Sequence, residues 1–294
     1  MAQRLAGQRH CIPHPDFHIP LRDQLITQAV LERAAPHLTF TPEEEETGRR
    51  IITALGISEK QPFICFHSRD AAYLEKFPGN WHYHDYRDSS IASLIPAMEK
   101  MVDRGYVAVR MGSAVKESLG PTRPGVIDYA GSPYRSDFMD IYLSSRCAFF
   151  LSTASGIMCP SLAFRRPQCF VSTAPVVTVL DIDSQSIFLP KLHWLKTENR
   201  YMTFCEIFAT GASDFGRSVE YEKAGIELIP NTPDEIAAAV MELDNRLNGS
   251  WIPSREDEEL QAQFWSLVPT KYFRGKVRSR IGAAFLRLHR DLLN

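Results

Sequence analysis

Four short polar segments each follow an apolar run, and their side chains suit one kind of chemistry, the holding of phosphate. His67-Ser68-Arg69-Asp70 follows Phe63–Phe66, and Arg110-Met111-Gly112-Ser113 follows Tyr106–Val109. Asp128-Tyr129 follows Val126–Ile127, and Ser152-Thr153-Ala154-Ser155-Gly156 follows Cys147–Leu151. The last is a small-residue turn that leads into a helix candidate, Ile157–Phe164. Helix N-termini carry unpaired N–H groups and partial positive charge, so they take anions. Ser155 suits the cap position and Gly156 lets a phosphate approach the backbone closely. On this turn alone an ordinary helix cap is an equal reading. Arg69 and Arg110 at neighbouring strand ends tip it toward phosphate, because a guanidinium matches phosphate oxygens two at a time.

The elements that must position these groups are visible as a change of pattern at Gln61. From there, short apolar runs alternate with helical periodicity: Pro62–Phe66, Tyr106–Met111, Val126–Tyr129, Cys147–Leu151, Gln168–Val171 and Ile226–Ile229. Near-continuous apolar runs suit strands buried on both faces, as in a parallel sheet. Between them, Ile91, Leu94, Ile95, Met98, Met101 and Val102 form an apolar stripe at helical spacing that Gly105 ends. Asp137–Ser145 is a second helix candidate. Thr232, Pro233 and Glu235 mark a third, with Ile236, Val240, Leu243 and Leu247 on one face. Thr41-Pro42-Glu43 opens an earlier one, whose acidic run through Glu46 is a solvated helix start. The repeated alternation predicts an α/β fold with a doubly wound, mostly parallel, Rossmann-like sheet, whose ligands bind outside the carboxyl ends of the strands. The expected division is a short N-terminal extension over 1–60, with a helix around Leu21–Ala34, a binding domain over 61–250 and a helical tail over 251–294.

Bulk composition removes some classes of function. In 294 residues, 33 basic side chains face 35 acidic ones, so no global field recruits nucleic acid. Cys11, Cys65, Cys147, Cys159, Cys169 and Cys205 have no paired spacing and read as small core residues in a reducing compartment. No apolar stretch approaches the roughly 20 residues a bilayer requires, and Met1–His10 lacks a hydrophobic signal region, so the expected location is cytoplasmic.

Taken in order, His67-Ser68-Arg69-Asp70, Tyr73, Asp85-Tyr86-Arg87-Asp88, Arg110-Met111-Gly112, Asp128-Tyr129-Ala130, Met139-Asp140-Ile141-Tyr142-Leu143 and Ser152–Gly156 resemble a family of bacterial glycosyltransferases found among surface-polysaccharide genes. The resemblance spans roughly Phe63 to Leu247. The layout is also similar to the C-terminal half of GT-B glycosyltransferases, among which fucosyltransferases hold the donor pyrophosphate with a His-x-Arg segment. The resemblance implies transfer of a sugar from a nucleotide-diphosphate sugar to a polysaccharide or lipid-linked acceptor, with no cofactor and no metal. By it, Arg69 contacts the pyrophosphate, Ser155-Gly156 binds it from the helix end, and Asp70 and Asp128 orient hydroxyls. The implied donor site is His67, Arg69, Tyr73, Arg87, Arg110, Gly112, Asp128, Thr153, Ser155 and Gly156. Asp70 is the choice for the base and Arg69 for stabilising the leaving group. Two departures stand out: Arg165-Arg166-Pro167 replaces the Gly-x-Pro of many GT-B enzymes, and only residues 1–60 precede the first strand, where a full enzyme has an acceptor domain. The alternatives are a GT-B-like nucleotide-sugar epimerase and a non-catalytic nucleotide-sugar-binding subunit.

Other signals carry less. Asp181-Ile182-Asp183 has the Asp-x-Asp pattern that holds a metal in GT-A enzymes, but a loop turn is the better reading. His10, Cys11, His14 and His18 read as loop residues. Trp81, His82, Tyr83, His84 and Tyr86 form an aromatic polar loop that suits stacking on a base or sugar ring. Beyond Tyr272, Arg274, Lys276, Arg278, Arg280, Arg287 and Arg290 around Val277, Ile281, Phe285 and Leu288 form a basic amphipathic helix candidate. It suits peripheral contact with an anionic inner-membrane surface, or a terminal helix docked on the body.

Overall fold

Alternate residues of each central strand are buried on opposite sides, which is why the apolar runs form a sheet with a core on each face. The computed structural model describes residues 35–120, 122–272 and 278–294. After α1 (Pro42–Ala54) come β1 (Phe63–His67), α2 (Ile95–Asp103), β2 (Val107–Arg110), β3 (Val126–Ile127), α3 (Asp137–Arg146), β4 (Phe150–Ser152), α4 (Cys159–Ala163), β5 (Gln168–Thr173) and β6 (Ile187–Pro190). A small insertion follows: β7 (Leu192–Leu195), β8 (Arg200–Tyr201), α5 (Phe204–Ala209), α6 (Ser218–Lys223) and β9 (Ile226–Ile229). Then come α7 (Pro233–Leu247), α8 (Arg255–Leu267), β10 (Arg280–Ile281) and α9 (Ala283–Leu288).

The main sheet is seven-stranded, in the order β10-β6-β5-β4-β1-β2-β3, and every pairing in it is parallel. Ile64, Phe66, Ala108 and Leu151 point into the larger core with α2 and α7, whereas Phe63, Cys65, Val109 and Phe150 point into a second core with α3. Helices thus cover both faces of a Rossmann-like sheet. The chain runs outward from β1 through β2 to β3, then returns to place β4 on the other side of β1. That reversal opens a crevice between the β1 and β4 loops, the position where open parallel sheets bind ligands.

Local signals set several boundaries. Thr41 and Glu44 form a reciprocal capping box at α1, as do Thr232 and Glu235 at α7. Helix α1 packs on α3 through Gly48, where a Cβ would sit 2.2 Å from the Tyr142 ring. The Ile91–Val102 stripe is divided into a 3-10 turn over Ile91–Leu94 and α2, with Pro96 in the first turn of α2.

Some expectations are corrected. The run Ile226–Ile229 is not in the parallel sheet; it pairs antiparallel with β7 in a three-stranded sheet of order β8-β7-β9. The described residues beyond Tyr272, 278–294, do not form one basic helix: Arg280–Ile281 add an edge strand to β6, and α9 spans only Ala283–Leu288. The physical reason is an acidic partner on α8. Arg280 pairs with Glu258 at 2.6 Å, Arg290 with Glu256 at 2.7 Å and Arg287 with Asp257, while Arg278 lies over the Trp265 ring. Cys159 and Cys205 are exposed in the first turns of α4 and α5, unlike the buried Cys65, Cys147 and Cys169. Among the described residues no helix is long and apolar enough to cross a membrane. The helix expected at Leu21–Ala34 and the residues His10, Cys11, His14 and His18 lie outside the described residues, as do Arg274 and Lys276.

Candidate functional site

The β1 strand delivers His67 to the sheet edge, and the loop after β4 faces it across a crevice of about 780 Å3. His67, Arg69, Asp70, Tyr73, Arg87, Ser155 and Gly156, all expected from the sequence, line this crevice. Lys76, Ser113, Arg135, Asp137 and Asp140 join them. Two hydrogen bonds stitch the walls together: Thr153 N–H donates to the His67 carbonyl, and Arg69 N–H donates to the Thr153 hydroxyl oxygen Oγ1 at 2.7 Å.

His67 has a fixed tautomer. Its Nδ1 lies 3.0 Å from the Met111 carbonyl, which only accepts, so Nδ1 carries the proton and Nε2 keeps its lone pair. Burial holds the imidazole pKa below its ordinary value, against the opposing pull of that carbonyl. The ring is therefore neutral at pH 7. Gly112 makes this arrangement possible, since a Cβ there would meet Val115 Cγ1 at 2.6 Å in the turn that presents the Met111 carbonyl.

Arg69 is nearly buried and already engaged. It donates to Asp88 and, at 3.3 Å, to the His84 carbonyl. Burial first, and then the neighbouring Arg87 charge, lower its pKa. Arg87 has no such partner. Among the described residues it forms no ion pair, and its buried Nε makes no hydrogen bond. Two more crevice residues carry buried polar atoms without a hydrogen-bond partner among the described residues, Arg135 Nε and Ser155 Oγ. Orphaned donors of this kind are costly by about 1–3 kcal/mol each, and they mark where a ligand's oxygens would be drawn.

Several expected residues serve the frame instead. Arg110 is 2 % exposed and turned away from the crevice, donating to the Glu117 carbonyl at 2.5 Å and to Asp128 at 3.3 Å. Asp128 in turn receives the Gly131 N–H. Thr153 is buried as the Arg69 backbone acceptor. Arg110, Gly112, Asp128 and Thr153 therefore shape the edge without lining the crevice. Asp70 lines it with both oxygens occupied, one by Ala72 N–H at 2.9 Å and the other by Lys116 N–H at 2.8 Å. Ser155 does not cap a helix through its hydroxyl. The Met158 N–H is taken by the Ser155 carbonyl, and a 3-10 turn leads into α4, a helix of one short stretch. The helix N-terminus expected at Gly156 is thus a 3-10 turn, and the helix that follows is only Cys159–Ala163.

Arg135 escaped sequence reasoning. It sits just before Ser136, the cap of α3, and pairs with Asp137 and Asp140, each at 2.7 Å. The hydroxyl of Tyr129 holds Asp140 at 2.9 Å. The only sequence signal was an arginine directly preceding a cap and two acidic residues on the first turn. Asp181-Ile182-Asp183 lies at the opposite end of the sheet, before β6, where Asp183 accepts from the Gln185 and Ser186 N–H groups in a turn. Among the described residues no cluster of His, Cys, Asp and Glu is placed to hold a metal ion.

A buried lysine supports the Arg69 wall from behind. Lys191, between β6 and β7, donates to the carbonyls of Tyr86 at 2.9 Å and Asp88 at 2.7 Å. Burial and then Arg69 push its pKa down to about 8. His193 donates from Nδ1 to the Lys191 carbonyl at 3.0 Å, and burial pushes its pKa down to about 4. The unfolded imidazole takes its proton near 6.5, so the unfolded chain binds the extra proton between pH 6.5 and 4. Stability attributable to His193 is full above pH 6.5 and falls by up to about 3 kcal/mol as the pH drops toward 4. Urea denaturation across that range should show a shallower pH dependence for His193→Gln than for the parent; equal slopes would remove His193 as the cause.

Compared with protein-family models, curated proteins and solved structures, the chain has no match.

Proposed function

We propose that the crevice binds a nucleotide-diphosphate sugar and that the chain transfers its glycosyl group to a hydroxyl of a polysaccharide or lipid-linked acceptor. The observation that carries this reading is Arg87, a cation on the crevice wall with no carboxylate partner among the described residues and an unsatisfied Nε, set beside Arg69. An anion between the two would relieve their repulsion and supply the missing acceptor. The crevice volume of about 780 Å3 is within the range of small-molecule sites. The resemblance of the ordered motifs to glycosyltransferases supports the choice of donor class.

In the proposed reaction, the acceptor oxygen forms a bond to the anomeric carbon as the bond from that carbon to the diphosphate oxygen breaks. The electron pair leaves on the diphosphate, where Arg87 and Lys76 stabilise it. The acceptor proton passes to His67 Nε2. Asp70, the base preferred from the sequence, has both oxygens committed to backbone N–H groups and serves as a clamp.

Calorimetric titration with UDP, GDP and CMP tests the donor reading; no heat with any of the three would overturn it. Gly156→Ala refines the test. A Cβ at Gly156 meets nothing within 4 Å, so the fold accommodates it while the methyl occupies space open to the ligand. Affinity for the bound nucleotide should fall by about tenfold, or 1.4 kcal/mol, with the melting temperature unchanged. Unchanged affinity would move the phosphates away from this turn.

A further inference from the structure

A second crevice, of about 410 Å3, lies on the other side of the 3-10 helix Ala71–Lys76. Arg69 and Leu74 line both crevices, so one wall separates them. Its chemistry differs from that of its neighbour. Phe77 and Trp81 supply aromatic surface, and Phe77 remains 46 % exposed despite a ring contact with Tyr73 at 5.3 Å. The Trp81 indole is held in place, its Nε1 donating to the Phe77 carbonyl at 3.2 Å. Glu75 and Asp85 bring carboxylates. Asp85 uses one oxygen on His82 at 2.9 Å, and Glu75 uses one on Lys116 at 3.3 Å, so each retains a second acceptor. Arg69, the cation of this lining among its Lys and Arg side chains, is engaged with Asp88.

We infer that this second crevice is a subsite for an uncharged sugar of the acceptor, stacked on Trp81 and Phe77 with its hydroxyls donating to Asp85 and Glu75. The inference rests on the donor reading of the first crevice. The apolar face of a pyranose packs on an aromatic ring, and hydroxyl groups are the donors a carboxylate requires. Phosphate, and the carboxylates of uronic or sialic acids, bring negative charge that Glu75 and Asp85 repel. The shared Arg69–Leu74 wall puts an acceptor held here next to a donor held in the cationic crevice. The two neighbouring sites thus divide the labour by charge, diphosphate on one side of the 3-10 helix and neutral sugar on the other.

The full-length chain should be applied to a printed array of neutral, amino-sugar and acidic glycans, and the parent titrated separately with UDP, GDP and CMP. The parent should retain neutral glycans and pass over the acidic ones. Trp81→Ala and Asp85→Asn should each weaken the retained glycan at least tenfold without a change in melting temperature; Trp81→Phe should restore most of it. If Trp81→Ala fails to fold, Asp85→Asn and Trp81→Phe carry the test. Retention of acidic glycans, no retention by the parent, or a variant profile equal to the parent's would overturn the subsite. A tenfold loss of nucleotide affinity in Trp81→Ala with the glycan profile intact would reassign the crevice to the nucleobase, and so overturn it too. The two readings fail separately: nucleotide bound without glycan removes the subsite alone, whereas glycan bound without nucleotide removes the donor site.

Discussion

His67→Asn is expected to lower the rate of the proposed glycosyl transfer by about 10²- to 10⁴-fold, the usual contribution of a positioned base. The choice of asparagine is deliberate. Its amide nitrogen occupies the place of Nδ1 and can still donate to the Met111 carbonyl, so the turn around Gly112 is kept while the Nε2 lone pair is lost. Nucleotide affinity should stay within a few-fold, because the imidazole is neutral and adds no charge to the proposed donor site. The parent should also have a characteristic pH profile. Since burial holds the His67 pKa below its ordinary value of 6.5, the unprotonated base is present at neutral pH, and the acid limb of kcat should have its midpoint below 6.5. A variant that keeps the parent's rate, or an acid limb unmoved by the substitution, would take the base role from His67.

The second large effect separates two adjacent arginines. Arg87→Ala should weaken binding of a nucleoside diphosphate by ten- to a hundredfold, the loss of about 1.5–3 kcal/mol expected for a hydrogen bond to a charged group. Its melting temperature should hold, since no ion pair of the described residues involves Arg87. Arg69→Ala should instead destabilise the fold by about 3 kcal/mol. It strips Asp88 and the His84 carbonyl of a donor in a setting where the Arg69 side chain is 8 % exposed and Asp88 30 %. Titration and thermal melting of both variants decide the matter. An Arg69→Ala chain as stable as the parent, or an Arg87→Ala chain with unchanged affinity, would contradict this division of roles.

The sequence made the strands around the site legible because burial on both faces leaves a mark that needs no partner to be read. Phe63–His67 is wholly buried, and so its apolar run stands out. Capping boxes at Thr41 and Thr232 are equally local. Sheet membership was harder. In Ile226–Ile229 the alternation around Glu227 does signal a half-exposed strand, and half-exposed strands favour antiparallel pairing. Arg280–Ile281 is too short to show any period, and its role depends on meeting β6.

The site divides along the same line. Strand-end logic found His67, Arg69, Ser155 and Gly156 because the carboxyl edge of a parallel sheet is fixed by direction alone. It could not tell a free arginine from an engaged one. Arg69 and Arg87 look alike in sequence; the difference is Asp88, brought to Arg69 by the fold and steadied there by Lys191. Likewise, the Asp70 turn onto Ala72 is a local bond, whereas the Lys116 N–H that occupies its other oxygen comes from a distant loop.

The edge strand β10 has a consequence for how the molecule assembles. It pairs Arg280 with Ile187 and Ile281 with Phe188, joining segments separated by nearly the whole C-terminal third of the chain. Long-range parallel pairings of this kind form slowly, because the entropy of closing the loop must be met before the contact gives anything back. Until β10 arrives, β6 is a bare edge of Ile187, Phe188 and Leu189, able to recruit another chain. A chain with β10 undocked would therefore present the far margin of its sheet to other chains.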